Sequence, residues 1–173
     1  GAIQWVVSGY ALAFGMTLVA GGRLGDAHGR RRMMIIGLLG FVLSSAAAGL
    51  APSAAAIVLA RLVQGASAGL LTPQNSGLIQ QLFRGDERGR AFGMFGFTVA
   101  VASAAGPLIG GLLIGALGEQ NGWRALFLVN VPIGLVALVL VWRLVPDNPG
   151  GRDAERDTRV DLPGALLLGL AVV

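Results

Sequence analysis

The sequence has no cysteine, no lysine, a single histidine, and few charges of either sign. Without cysteine there are no disulfides and no thiolate metal ligands. His28 stands alone in a charged connection, and no Ser/His/Asp, Cys/His or metal-ligand spacing occurs, so neither an enzyme nor a cofactor or metal site is implied. The missing lysine leaves 13 basic residues that are all arginine, a usage that decides nothing about chemistry. Charged residues make up 13% of the chain, against about 25% in an ordinary soluble domain. There is no basic segment followed by a short apolar core and a small-residue cleavage site, so no signal peptide is read.

What the chain does have is long apolar runs. Its 173 residues are 54% hydrophobic, with a mean hydropathy of +0.72. A bilayer core of ~30 Å takes roughly 20 apolar residues in a helix rising 1.5 Å per residue. Five complete runs of that kind are present: Ala2 to Gly21, Met33 to Leu50, Ala54 to Phe83, Gly89 to Leu117 and Trp123 to Trp142. A sixth starts at Leu162. The predicted fold class is an all-α integral membrane bundle, divided into a partial bundle over 1–142, a linker over 143–161 and the start of a further span over 162–173. The first run opens without an initiator Met, so the expectation is a piece of a longer protein with sequence missing at both ends. The formal charge of +4 and pI of 11.3 do not indicate a nucleic-acid partner, because no soluble basic domain carries five runs of membrane length.

The arginines are unevenly placed. Arg23, Arg30, Arg31 and Arg32 lie at the first connection, Arg84, Arg88 and Arg90 at the third, and Arg143, Arg152, Arg156 and Arg159 at the fifth. The second connection has none and the fourth has only Arg124. Basic residues are retained on the cytoplasmic side, so the odd-numbered connections are expected in the cytoplasm and the first span is expected to run from outside to inside. The fifth connection reads as a solvated linker, with Glu155 and Arg159 spaced i, i+4 as a short surface helix would have them. In the first connection, "GGRLGDAHGRRRMM", Gly22 and Gly25 are expected to end the first helix and Gly29 to turn the chain. Asp26 is left to cap or pair, and "GDERGR" at 85–90 echoes "GDAHGR" at 25–30.

Arg61 is the exception to that pattern, since it falls inside a span. Counted from Ala54 it lies about 10 Å below the outer surface, where insertion costs about 2.5–3.5 kcal/mol. It should face the bundle interior and be paired there, with Gln64 one turn on and Gly65 leaving room for a neighbour; the alternative is a side chain that snorkels to the headgroups. None of the nine acids lies inside a complete run, so a titrating carboxylate would have to come from other sequence. Small residues at four-residue spacing, Gly65 and Gly69 in the third span and Ala102, Gly106 and Gly110 in the fourth, suit close helix contact. Pro107 removes the hydrogen bond to the Ser103 carbonyl. The fourth span is therefore expected to bend and pack tightly at one place, whether as a tolerated kink or as a moving hinge. Trp5, Trp123 and Trp142 fall near expected interfaces, and Asn130 with Pro132 either lines a cavity or relieves a kink.

Several of these stretches agree on one family. The chain resembles the major facilitator superfamily, and within it the fourteen-spanner drug:proton antiporters. Gly22, Asp26, Gly29, Arg30, Arg31 and Arg32 are similar to the motif G-x-x-x-D-R/K-x-G-x-R/K-R/K between that family's second and third helices. "IVLARLVQGASAG", with Arg61, Gln64 and Gly65, resembles its fourth-helix motif. "ASAAGPLIGG", with Gly106, Pro107, Gly110 and Gly111, resembles its fifth-helix antiporter motif. "WRALFLVNVPIG" and "VDLPGALL" look like the sixth helix and the start of the seventh. Three departures stand out: Ala27 where a basic residue is usual, Ala102 where glycine often stands, and Ser67 in place of a fourth-helix glycine.

The resemblance implies an inner-membrane, multi-pass exporter of amphiphilic small molecules, driven by protons and working by alternating access between two helical halves. Proton coupling would fall on Arg61 and Gln64, and gating on the residues of the first connection and the Gly-Pro stretch. Its partners would be the substrate, protons, the lipid bilayer and the remainder of the transporter. The alternatives are an uptake permease of the same superfamily, against which "GPLIGG" argues, and a non-transporting membrane scaffold, which has no need of an intramembrane cation.

Overall fold

A computed structural model describes residues 2–146. Five helices follow one another: α1 (Ala2–His28), α2 (Arg30–Gly49), α3 (Ala54–Leu82), α4 (Gly85–Leu128) and α5 (Asn130–Leu144). Five segments are long and apolar enough to cross a membrane: Gln4–His28, Arg30–Gly49, Ala54–Leu82, Gly85–Gly118 and Asn121–Leu144. The linker and the sixth span, including Glu155 and Arg159, lie outside the described residues.

The boundaries differ from the apolar runs in an instructive way. The first helix does not end at Gly22 or Gly25, as expected; it continues through both to His28. Nothing in "GRLGDAH" denies the backbone its helical bonds, so polar residues simply extend the helix past the apolar run. The turn is Gly29 alone, at φ 91°, a backbone region that L side chains rarely adopt. Gly118, at φ 75°, breaks α4 in the same manner and separates the fourth span from the fifth. Within the fifth span Pro132 leaves the Leu128 carbonyl without its helical donor. Asn130 donates its side-chain amide to the Leu126 carbonyl one turn earlier, not to the carbonyl that Pro132 leaves free.

Apart from Met33, Val42, Leu78 and Val141, the buried residues are small or polar. Ser45, Gln64 and Gln74 are almost wholly buried, whereas Leu43, Leu59, Met94, Phe97 and Leu108 are exposed. Most large apolar side chains thus face outward, as expected where lipid surrounds the bundle and association depends on close packing rather than on a hydrophobic drive. α3 is the centre, packed along α1 and α2, with α5 against the far side of α2. Glycine makes the α1/α3 seam. A Cβ at Gly65 would collide with the Tyr10 carbonyl oxygen, and one at Gly69 would fall 2.5 Å from that of Phe14. On α1, a Cβ at Gly21 would meet the Gly69 carbonyl oxygen at 2.9 Å.

The fourth span departs from the tight packing expected of it. A Cβ added at Gly106, Gly111 or Gly115 would meet no other heavy atom within 4 Å among the described residues, and Gly110 meets only Leu126, at 3.4 Å. The backbone runs helically through Pro107, the one non-helical residue of α4 being Gly118. The small residues permit a close neighbour, but no described helix lies along that face.

The seam gives a direct test. Gly65→Ala forces a methyl into a backbone carbonyl that cannot turn aside. A loss of roughly 1–3 kcal/mol is expected, read as a lower melting temperature of the full transporter in detergent. An unchanged melting temperature would count against backbone contact at this position.

Candidate functional site

Two polar clusters stand out, one inside the bundle and one at its arginine-rich end. The inner cluster starts from helical spacing: Arg61 and Gln64, at i and i+3 on α3, share a face. Arg61 Nη1 donates to Gln64 Oε1 at 2.7 Å, and its Nε donates to the Val6 carbonyl of α1 at 3.1 Å. The guanidinium carbon lies 4.1 Å from the Tyr10 ring centroid and 5.8 Å from that of Phe127, both within cation–π reach. Gln64 in turn donates to Ser45 Oγ on α2 at 2.5 Å. Arg61 is half-buried and turned into the bundle rather than out to the headgroups. Its described partners are a carbonyl, an amide and aromatic faces, none of which carries a negative charge.

At the arginine-rich end, three consecutive arginines diverge because successive helical side chains point about 100° apart. Arg30 turns to α3: it pairs with Asp26 at i, i+4, donates Nη1 to the Pro73 carbonyl at 3.2 Å, and fills the notch left by Gly77, where a Cβ would overlap its guanidinium. Arg31 turns to α5 and donates to the Trp142 carbonyl, one of the last-turn acceptors that a helix cannot satisfy internally. Arg32 is exposed. Beside them Gln74 is fully buried and donates to the carbonyls of Gly21 and Leu70 at 2.7 and 2.8 Å. Its Oε1 occupies the space that a Cβ on Gly25 would take. Gly25 is thus a site of close approach to α3, and neither it nor Gly22 ends the helix.

The echo of "GDAHGR" in "GDERGR" does not extend to structure. Asp26 lies near the end of a helix and pairs with Arg30, whereas Asp86 and Glu87 open α4, where carboxylates suit the helix dipole. Arg88 reaches back to the Phe83 and Gln80 carbonyls at 3.1 and 3.3 Å, closing the end of α3. At the opposite end Arg124 does the same for α2, donating to the Gly49 carbonyl at 2.9 Å.

The structure therefore brings Arg61 to Gln64 and Asp26 to Arg30 across the Gly29 turn. It joins Gly106, Pro107, Gly110 and Gly111 to neither cluster. Sequence reasoning missed Tyr10, Ser45, Gln74 and Gly77. The signal for three of them was available, since Ser45 and Gln74 are polar residues inside apolar runs and Tyr10 is the sole tyrosine. A cleft of about 360 Å³ also opens between α1, α2 and α3, lined among others by Thr17, Leu24, Ile36, Val63 and Ser67. Both of its hydroxyls donate to carbonyls of their own helices, so the cleft is apolar in character.

Comparison with known proteins gives these clusters a context. The sequence profile of the Major Facilitator Superfamily matches residues 1–171. The chain is 46% identical to the puromycin resistance protein of Streptomyces alboniger over 95% of its length, which is 31% of that relative. It is 38% identical to the tetracenomycin C resistance and export protein of Streptomyces glaucescens over 98% of its length, 30% of that relative. It is 37% identical to the multidrug resistance protein Stp of Mycobacterium tuberculosis, again over 98% of its length and 30% of the relative. The chain thus spans about a third or less of each relative's length.

The notch at Gly77 supplies a second test. Gly77→Val should expel the Arg30 guanidinium, and the loss of stability should be smaller in an Arg30→Ala background. The expected coupling is about 1 kcal/mol, measured by a double-mutant cycle of thermal unfolding; strict additivity would mean that the two residues do not meet.

Proposed function

We propose that this chain, which belongs to the Major Facilitator Superfamily, is part of a proton-driven exporter of antibiotics or similar toxic amphiphilic compounds that works by alternating access. The observation that carries the reading is Arg61, a cation inside a span, held by a backbone carbonyl, an amide and aromatic rings. A fixed cation of this kind favours the ionised form of any carboxylate brought beside it. Moving the two apart ties protonation to conformation, and the carboxylate comes from the remainder of the transporter. A scaffold has no use for so costly a charge. The relatives named for puromycin resistance and tetracenomycin C export support export over uptake.

The arginine-rich end faces the cytoplasm of the inner membrane in this reading, in keeping with retention of basic residues there. Gly22, Asp26, Gly29, Arg30, Arg31 and Arg32 then form a cytoplasmic clasp, supported by the single-residue turn and by the arginines that reach α3 and α5. Gly106, Pro107, Gly110 and Gly111 give α4 a smooth face interrupted by one missing hydrogen bond, which suits an element that moves against the other half of the transporter.

In proteoliposomes carrying the full transporter, Arg61→Ala is expected to abolish efflux driven by an imposed pH gradient; transport at the wild-type rate would sink the coupling role. Gly106→Leu is expected to trap one access state or leak protons, and cysteine-labelling patterns identical to wild type would refute gating by this face.

A further inference from the structure

Gln64 is 1% exposed and Ser45 is completely buried, and their chemistry permits one arrangement. A guanidinium only donates, so Gln64 must turn its Oε1 to Arg61. Its NH2 then points toward α2, where it needs an acceptor. Ser45 Oγ is that acceptor. The adjacent Ser44 is engaged elsewhere, its hydroxyl donating to the Gly40 carbonyl of its own helix at 2.6 Å.

We propose that Ser45 is a positioning residue whose hydroxyl, acting through the Gln64 amide, holds the Arg61 guanidinium against the Val6 carbonyl and the Tyr10 ring. The proposal deepens the reading of Arg61 as the coupling cation and rests on it for its functional consequence. Three hydrogen bonds run in sequence from α2 through α3 to α1, so the position of the charge depends on all three helices at once. Ser45 stands fifteen residues beyond Arg30, about 22 Å along one helix. The helix that begins at the arginine-rich clasp therefore also carries the acceptor that pins the amide. A slide or tilt of α2 stretches the Ser45–Gln64 bond beyond hydrogen-bonding distance, frees the amide to rotate, and releases Arg61 from its Oε1. This gives the clasp a physical route to the intramembrane cation.

The test uses the full transporter in lipid and reads position and coupling separately. The 15N resonances of the Gln64 side-chain amide and of Arg61 Nε are assigned by their loss in Gln64→Leu and Arg61→Lys. Ser45→Ala is expected to shift both, while Ser45→Thr, which keeps the hydroxyl, leaves Arg61 Nε near its wild-type position. An Arg61 Nε resonance unmoved by Ser45→Ala overturns the proposal. If the alanine variant does not fold, Ser45→Cys, whose sulfur is a weak acceptor, is read against Ser45→Thr by the same criterion. In transport assays, Ser45→Ala is expected to move the midpoint of the pH–rate profile by about half a unit, in the same direction as Gln64→Leu. The double variant should move it no further than Gln64→Leu alone, and additive shifts also overturn the proposal. If the resonances move as expected while Arg61→Ala still transports under a pH gradient, the positioning role stands and the coupling role of Arg61 has failed.

Discussion

The arrangement depends on backbone-to-backbone contact between α1 and α3. Lipid tails are as apolar as leucine, so burying leucine drives no association between these helices, and most of the large apolar residues accordingly remain outside. Removing side chains at Gly65 and Gly69 lets the carbonyls of Tyr10 and Phe14 settle against α3. Only at that separation does Arg61 reach the Val6 carbonyl, and only there does Gln74 reach the Gly21 carbonyl. A wider seam would leave an arginine and a glutamine without partners inside a membrane, at a cost of several kcal/mol per unsatisfied group. The glycines and the buried polar groups are therefore two halves of one solution.

The same economy governs the arginines. Those for which hydrogen bonds are described at helix ends bond mainly to carbonyls: Arg88 at the end of α3, Arg124 at the end of α2, and Arg31 at the end of α5. Each supplies donors where a helix runs out of its own. Arg30 differs in joining a carboxylate and a carbonyl of another helix at once, which makes the Gly29 turn a junction of α1, α2 and α3. Arg61 differs again in serving no helix end. One residue type thus closes helix ends, joins three helices at the Gly29 turn and places a charge inside the bundle.

Much of this was legible before any fold was known. The five spans follow from hydropathy and length. The pairing of Arg61 with Gln64 follows from i, i+3 spacing, because both partners lie on one helix. Close packing at Gly65 was also readable, although its neighbour was not. Gly22 and Gly25 read as helix ends because glycine is common there, yet both lie within α1, and at Gly25 the Gln74 side chain of α3 presses close. Gly106, Gly110 and Gly111 read as a packed face, but small residues only permit contact, and among the described residues only Leu126 comes within 4 Å of that face.

What the amino-acid sequence determined by itself is what depends on local chemistry: membrane character, the five spans of the described residues, the asymmetric placement of arginine, and the family. Hydropathy and charge act residue by residue, so they can be read in one dimension. Only the tertiary structure decided that Ser45 accepts from Gln64, that Arg30 rests in the Gly77 notch, that Arg31 reaches Trp142, and that Tyr10 lies beneath Arg61. Each of these joins residues from nineteen to more than a hundred positions apart. Which helix face meets which is set by glycine-to-carbonyl contact between helices, a property of pairs of surfaces and not of any one stretch of chain.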